Sequence, residues 1–219
     1  MKNLFETEEK IFTGFLTLKG TAWECLTSLE TYIDSLFENP PEGLNLQNNL
    51  LLGENVKLGN NVVVLGKAIL CAGTEVCDNA VLRDGVILGQ NSFIGFGIEI
   101  KHCVIMSRTR IPHLNYVADS IIGNGCNFGA GVITANWKGG FANKEIAVSL
   151  DEERFDTGLE KFGALVGDGV YLGCNAVLDP GAVIGKGSLI YPLSLIRGEV
   201  PVKTIVKNHQ NLEMVAKAE

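Results

Sequence analysis

The chain has few aromatic residues (7%) and only six prolines against 26 glycines. That composition excludes a bulky, aromatic-rich core and favours many tight backbone turns, as in a repetitive β architecture. Its six cysteines, Cys25, Cys71, Cys77, Cys103, Cys126 and Cys174, form no CxxC pair, and the three histidines do not cluster. A zinc site and a thioredoxin-type motif are therefore not indicated, and free thiols in a reducing compartment fit better. Basic charge is also lacking: the formal net charge is −7, which argues against a broad nucleic-acid surface. No window is long enough to span a bilayer, and the first ten residues are acidic where a signal peptide would be basic and then apolar. The expectation is a cytoplasmic globular protein with neither membrane nor nucleic acid as partner.

What the sequence has is a period of six. Leu52, Leu58, Val64, Leu70, Val76, Leu82, Leu88, Ile94 and Ile100 fall at every sixth position, and the residues four places on are mostly small or β-branched. This is the hexapeptide repeat, in which each hexad supplies one short strand and one turn, and three hexads make a triangular coil. The pattern returns at Ile122 and Phe128, then from Val166 through Ile196. It predicts a mainly β protein, a parallel β-helix of about six coils of 18 residues each. The phase breaks between Ile100 and Ile122, and again between Ile122 and Val166. The second break holds a charge-rich stretch over 137–163 that is expected to leave the prism as a loop or hairpin, and such excursions are often functional.

Three divisions follow. Residues 1–45 are expected to form a helical cap on the first coil, with Thr21 and Glu24 as a capping box and Trp23, Leu26, Leu29, Tyr32, Ile33, Leu36 and Phe37 on one helix face, stopped at Asn39-Pro40-Pro41. Residues 46–202 form the β-helix. Residues 203–219 are a C-terminal extension with a short helix.

His113 lies in the first phase break, within Pro112-His113-Leu114-Asn115-Tyr116, followed by Asn127 in an Asn-Phe-Gly-Ala-Gly run and Asn136 after Ile-Thr-Ala; Arg83 and Lys101 precede it. Taken singly, the two basic residues read as solvated charges, the asparagines as turn residues, and Tyr116 as corner packing. Their joint spacing is harder to assign to structure alone. The stretch from His113 to Asn136, with Glu99-Ile-Lys101 and Arg83 upstream, resembles the acetyltransferase domain of the bifunctional glucosamine-1-phosphate acetyltransferase/N-acetylglucosamine-1-phosphate uridyltransferase family, over roughly residues 50 to 200.

The resemblance implies a left-handed β-helix, acetyl-CoA as co-substrate with no metal required, and an amino-sugar phosphate as acceptor, glucosamine-1-phosphate by default. It implies His113 as general base, a role suited to histidine's titration near neutrality. Asn136 would help position the acetyl group, and the Ala130 N–H would steady the oxyanion. Arg83, Lys101, Tyr116 and Asn127 would hold the sugar phosphate, joined by a loop lysine, Lys144 or else Lys138. Cys174 and Pro192 stand where bacterial members have small residues contacting CoA, and Trp137 where they usually have tyrosine. Members are homotrimers with sites between prisms. Nothing in the first fifty residues resembles the nucleotide-binding domain of bifunctional members, so a separate nucleotidyltransferase is expected.

Three rivals stand beside this reading. A non-catalytic regulatory or assembly subunit on the same fold is hard to square with His113, Lys101 and Asn136 together. A γ-class carbonic anhydrase needs three histidine ligands including a close pair, which His102, His113 and His209 do not provide. Acyl transfer from acyl carrier protein in lipid A synthesis shares fold and base, but the segment around His113 argues against it.

Overall fold

A computed structural model describes residues 4–140, 145–209 and 213–216. Short parallel strands stack along one axis. One face is an eight-stranded sheet running from Lys57–Leu58 through Phe93–Phe96, Arg110–His113 and Tyr171–Leu172 to Ile205–Val206. Within it, Val76 pairs with Ile94, Ile94 with Ile111, and Leu172 with Ile190. These side chains point inward and are buried, together with Leu70, Leu82, Leu88, Ile100, Ile122 and Phe128, as one column of core down the axis. The hexapeptide period and the parallel rungs are those of the left-handed β-helix. Eight rungs stand where the sequence period suggested about six coils, because the phase breaks hide rungs that pair without interruption.

The first break is one missing residue per coil. Ile94 pairs with Ile111 and Ile100 with Val117, each 17 residues on rather than 18. The register shifts between Arg83 and Val86, where Asp84 and Gly85 stand opposite the single residue His102. The second break is an insertion. The chain departs after Asn136 and returns at Phe162, whose N–H donates to the Asn136 carbonyl at 3.0 Å. Between them Ile146–Leu150 and Glu153–Leu159 form an antiparallel hairpin.

The N-terminal segment folds as α1 (Lys10–Leu16), α2 (Ala22–Leu26) and α3 (Leu29–Glu38). Thr21 and Glu24 make the reciprocal capping box of α2, and the predicted single helix is interrupted between Leu26 and Leu29. The helices do not cap the first coil. They lie along one lateral face, where Phe12, Phe15, Trp23, Leu26, Leu29 and Ile33 pack on Leu51, Ile69, Ile87, Val104, Ile121, Leu165 and Val183. The reason is local: rungs such as Ala68-Ile69-Leu70, Val86-Ile87-Leu88 and Ala164-Leu165-Val166 are apolar at three consecutive positions. In a strand the middle residue of such a triplet must face outward, so this wall has to be covered. Burying each aliphatic side chain there contributes about 1.5–3 kcal/mol.

The hairpin extends the same cladding. Ile146, Val148 and Phe162 are buried among the helix residues, and the Phe155 and Trp23 rings lie 5.7 Å apart. The first edge of the stack is closed by Asn45–Gln47, antiparallel to Leu50–Leu52.

The expected C-terminal helix does not form in the described residues 207–209 and 213–216. Met214 is 96% exposed, and a short helix without a face to bury is marginal in water. Asn208 instead prolongs the stack, its side-chain amide donating to the Leu193 carbonyl at 2.6 Å.

Candidate active site

The first group of polar residues sits where Val81–Leu88, Glu99–Ile105 and Tyr116–Ile122 turn one corner of the prism. At that corner Asp84, His102 and Asp119 adopt positive φ (58°, 50° and 46°). This is left-handed backbone, which aspartate and histidine tolerate better than bulkier residues. Asp119 is the hub, with its side chain 7% exposed and Lys101 beside it at 14%. Its Oδ1 accepts from Lys101 Nζ at 3.1 Å and from His102 Nδ1 at 3.0 Å; its Oδ2 accepts from Lys101 at 3.2 Å and from the Asn136 amide. Burial alone would push this carboxyl up. The hydrogen bonds from His102 and Asn136 and the Lys101 charge outweigh it and hold Asp119 below the usual carboxylate range.

Arg83 lies on the same face. Its guanidinium bridges Glu99 Oε1 at 2.7 Å and Asp84 Oδ2 at 2.8 Å, and the bond to Glu99 raises its already high pKa. Glu99 is opposite Tyr116 in the rung pairing. Burial, reinforced by Glu99, raises the Tyr116 phenol, with Arg83 opposing. Arg83, Lys101, Tyr116 and Asn136 are thus brought to one face through carboxylates to which the sequence reading gave no role.

The remaining implied residues form a second column at another corner. The His113 carbonyl accepts from Gly131 N–H at 3.3 Å, the Ala130 carbonyl from Asn175 at 2.8 Å, and the Cys174 carbonyl from Leu193 at 2.9 Å. Asn208 Nδ2 continues the ladder at 3.4 Å from the Pro192 carbonyl. His113, Ala130, Cys174 and Pro192 are therefore stacked on successive coils. His113, Cys174 and Pro192 are exposed, and Ala130 is half-buried. Ala130 lies in a turn beside Gly131, whose φ is +73° and where a Cβ would meet Asn175 Oδ1 at 2.2 Å. Glycine suits this left-handed backbone, since any side chain would have to displace the Asn175 amide.

Asn127 is half-buried on the strand that leads into this turn. Among the described residues no hydrogen bond joins the His113 column to the Asp119 cluster. Lys144 lies outside the described residues. Lys138 donates to the Glu145 carbonyl, and Trp137, next to Asn136, is exposed.

The signal for Asp119 was present in the sequence. His102, Asp119 and Asn136 are spaced 17 residues apart, one shortened coil each, but that spacing carries meaning only once the coil length is known.

Fold and corner columns define a hexapeptide-repeat β-helix protein. Residues 64–138, which span Arg83 to Asn136, match the model of the GMPPB C-terminal domain. The chain is 35% identical to the bifunctional protein GlmU of Methanococcus vannielii over 219 residues, 97% of this chain and 52% of that protein. The GlmU of Methanococcus maripaludis C5 is 39% identical over 63% of this chain and 33% of its own length. A bifunctional sugar-1-phosphate nucleotidylyltransferase/acetyltransferase of Sulfurisphaera tokodaii is 40% identical over 56% of this chain and 30% of its own length. The chain spans about half or less of the length of these relatives.

Proposed function

We propose that this protein transfers an acetyl group from acetyl-CoA to the amine of an amino-sugar phosphate, with glucosamine-1-phosphate as the default acceptor. The observation that carries the reading is the arrangement of residues 83–136. Lys101 and a hydrogen-bonded asparagine are fixed on Asp119, with Arg83 held beside them by Glu99 and Asp84, and the strands Tyr116–Ile122 and Ile133–Thr134 of this face start from the corner holding His113 and Ala130.

Arg83 and Lys101 bind the phosphate, exchanging part of their present carboxylate contacts for it, with Tyr116 and Asn127 on the sugar. His113 accepts the proton that the amine loses as its nitrogen bonds to the acetyl carbonyl carbon. The Ala130 N–H, which has no acceptor among the described residues, meets the oxygen as it gains charge. When the C–S bond breaks, the imidazolium returns the proton to the departing thiolate. Ala130, Cys174 and Pro192 present a line of short side chains along which the pantetheine arm fits, and Asn136 steadies the acetyl group.

The protein works in the cytoplasm as a homotrimer. The helices and hairpin occupy one lateral face, leaving two faces for neighbours. Exposed Leu65, Ile133 and Leu195 on one of these and Phe96, Tyr171 and Ile205 on the other suit such contact. The acetylated sugar phosphate then passes to a nucleotidyltransferase.

Thiol release from acetyl-CoA, with glucosamine-1-phosphate and galactosamine-1-phosphate offered in parallel, tests this directly. Loss of a general base costs about 10²- to 10⁴-fold, so His113→Ala is expected to collapse turnover with the preferred sugar. A folded wild type that releases no thiol with either sugar overturns the proposal in favour of a regulatory or assembly subunit.

A further inference from the structure

The mechanism leaves His102 unused, although among the described residues it is the one titratable side chain that shares Asp119 with Lys101. Its Nδ1 is 3.0 Å from Asp119 Oδ1, the same oxygen that accepts from Lys101 at 3.1 Å. Its side chain is 19% exposed, and its Nε2 has no hydrogen-bond partner among the described residues.

The charges facing this corner come from three strands. Val81–Leu88 supplies Arg83 and Asp84, Glu99–Ile105 supplies Glu99 and Lys101, and Tyr116–Ile122 supplies Asp119 and the neutral Tyr116 phenol. Beyond them Asn136 adds a neutral amide. With His102 neutral, two cations face three carboxylates, an unfavourable balance for receiving a phosphate. Protonating His102 brings the charges level. It also strengthens the hold of His102 on Asp119 Oδ1, so that Lys101 is less engaged there and its ammonium is freer to turn to an incoming anion.

We propose that His102 is a positioning residue that sets, through Asp119, how much of the Lys101 charge is available to the substrate phosphate, so that sugar-phosphate affinity rises as His102 becomes protonated. The inference rests on the proposed substrate class but not on acetyl transfer itself. The sign is fixed by the charge count: affinity is higher with His102 protonated, and so greater at the lower pH.

Calorimetric binding of glucosamine-1-phosphate to the full chain at pH 8 and pH 6, without acetyl-CoA, tests it. The comparison protein is His102→Asn. Asparagine tolerates the left-handed backbone at this position (φ 50°) and carries an amide N–H near the place of Nδ1, but it does not titrate. His102→Gln is the second variant should His102→Asn fold poorly.

The phosphate's own ionisation affects all the proteins alike, so the quantity of interest is the change in affinity between the two pH values, wild type against variant. The wild type is expected to gain about three- to tenfold more on going to pH 6, the size for one added charge in a partly solvated cluster. Equal pH dependence, with thiol release intact, overturns this inference and leaves the proposed function standing. The expected difference without thiol release supports the inference and overturns acetyl transfer. No binding to any of the proteins overturns both.

Discussion

Replacing Asp119 with asparagine keeps the shape of the side chain and removes its charge. Lys101, with only 14% of its side chain exposed, then loses the carboxylate 3.1 Å away and keeps only Asp84 at 3.8 Å. His102 and Asn136 lose a charged acceptor, and the new amide must turn its NH₂ toward one of their donors. Breaking a buried ion pair by removing one partner costs about 3–5 kcal/mol. The Lys101 ammonium can still reach Asp84 and solvent, which brings the expected loss to about 2–3 kcal/mol.

For a chain of this size that is a fall in melting temperature of roughly 5–10 °C, measured by circular dichroism at a fixed protein concentration. Removing the stranded cation as well, in Asp119→Asn/Lys101→Met, should recover about 1–2 kcal/mol relative to the sum of the single changes. The pH dependence has a definite sign. The Asp119 carboxyl is held below its ordinary value when folded, so its contribution is present above the unfolded pKa of about 4 and is lost as pH falls through the folded value. The gap between wild type and variant should therefore close in acid. A melting temperature within 1 °C of wild type at pH 7 would refute the view of Asp119 as the hub.

Two further predictions concern other parts of the molecule. Ile121→Ala, on the wall under the helices, is expected to destabilise by about 2–4 kcal/mol although the side chain faces away from the prism axis; a near-neutral result by denaturant unfolding would mean that the wall is not continuously packed. Burial pushes the Cys71 and Cys126 thiols up to about 12, while Cys174 is exposed. A colorimetric thiol reagent should thus modify Cys174 first, and acetyl-CoA should slow that reaction. Labelling of Cys126 at the same rate, or no protection of Cys174, would count against the corner column as the binding site.

The axial core was legible in the sequence because the inward residues recur every six positions, from Leu52 to Ile100, with a side chain large enough to mark each rung. Two features escaped that reading. The loss of one residue opposite Asp84-Gly85 moved Ile111 and Val117 out of phase while leaving their pairing intact, so unbroken rungs looked like an interruption. The outward face was overlooked because Ile69, Ile87 and Leu165 are the middle members of aliphatic triplets, and the period-six pattern counts the first and last members but not the middle one. Of the candidate site, Arg83, Lys101 and Asn136 were recognisable from their order along the chain, but Asp119 was not. Its significance comes from what stands one shortened coil above and below it.

The helices along that outward face also bear on how the molecule can come apart. In a bare solenoid each rung touches only its neighbours, and the terminal rungs can open one after another. Here the same helical layer rests on rungs from Leu51 to Val183. The segment before α1 is fastened far along the stack, with Asp168 N–H donating to the Leu4 carbonyl at 2.9 Å and Ser107 donating to Glu9 at 2.5 Å. The layer acts as a splint: a middle rung cannot open without lifting a surface shared with rungs several coils away, so local fraying is confined to the end beyond Val183 and the remainder unfolds as one cooperative unit.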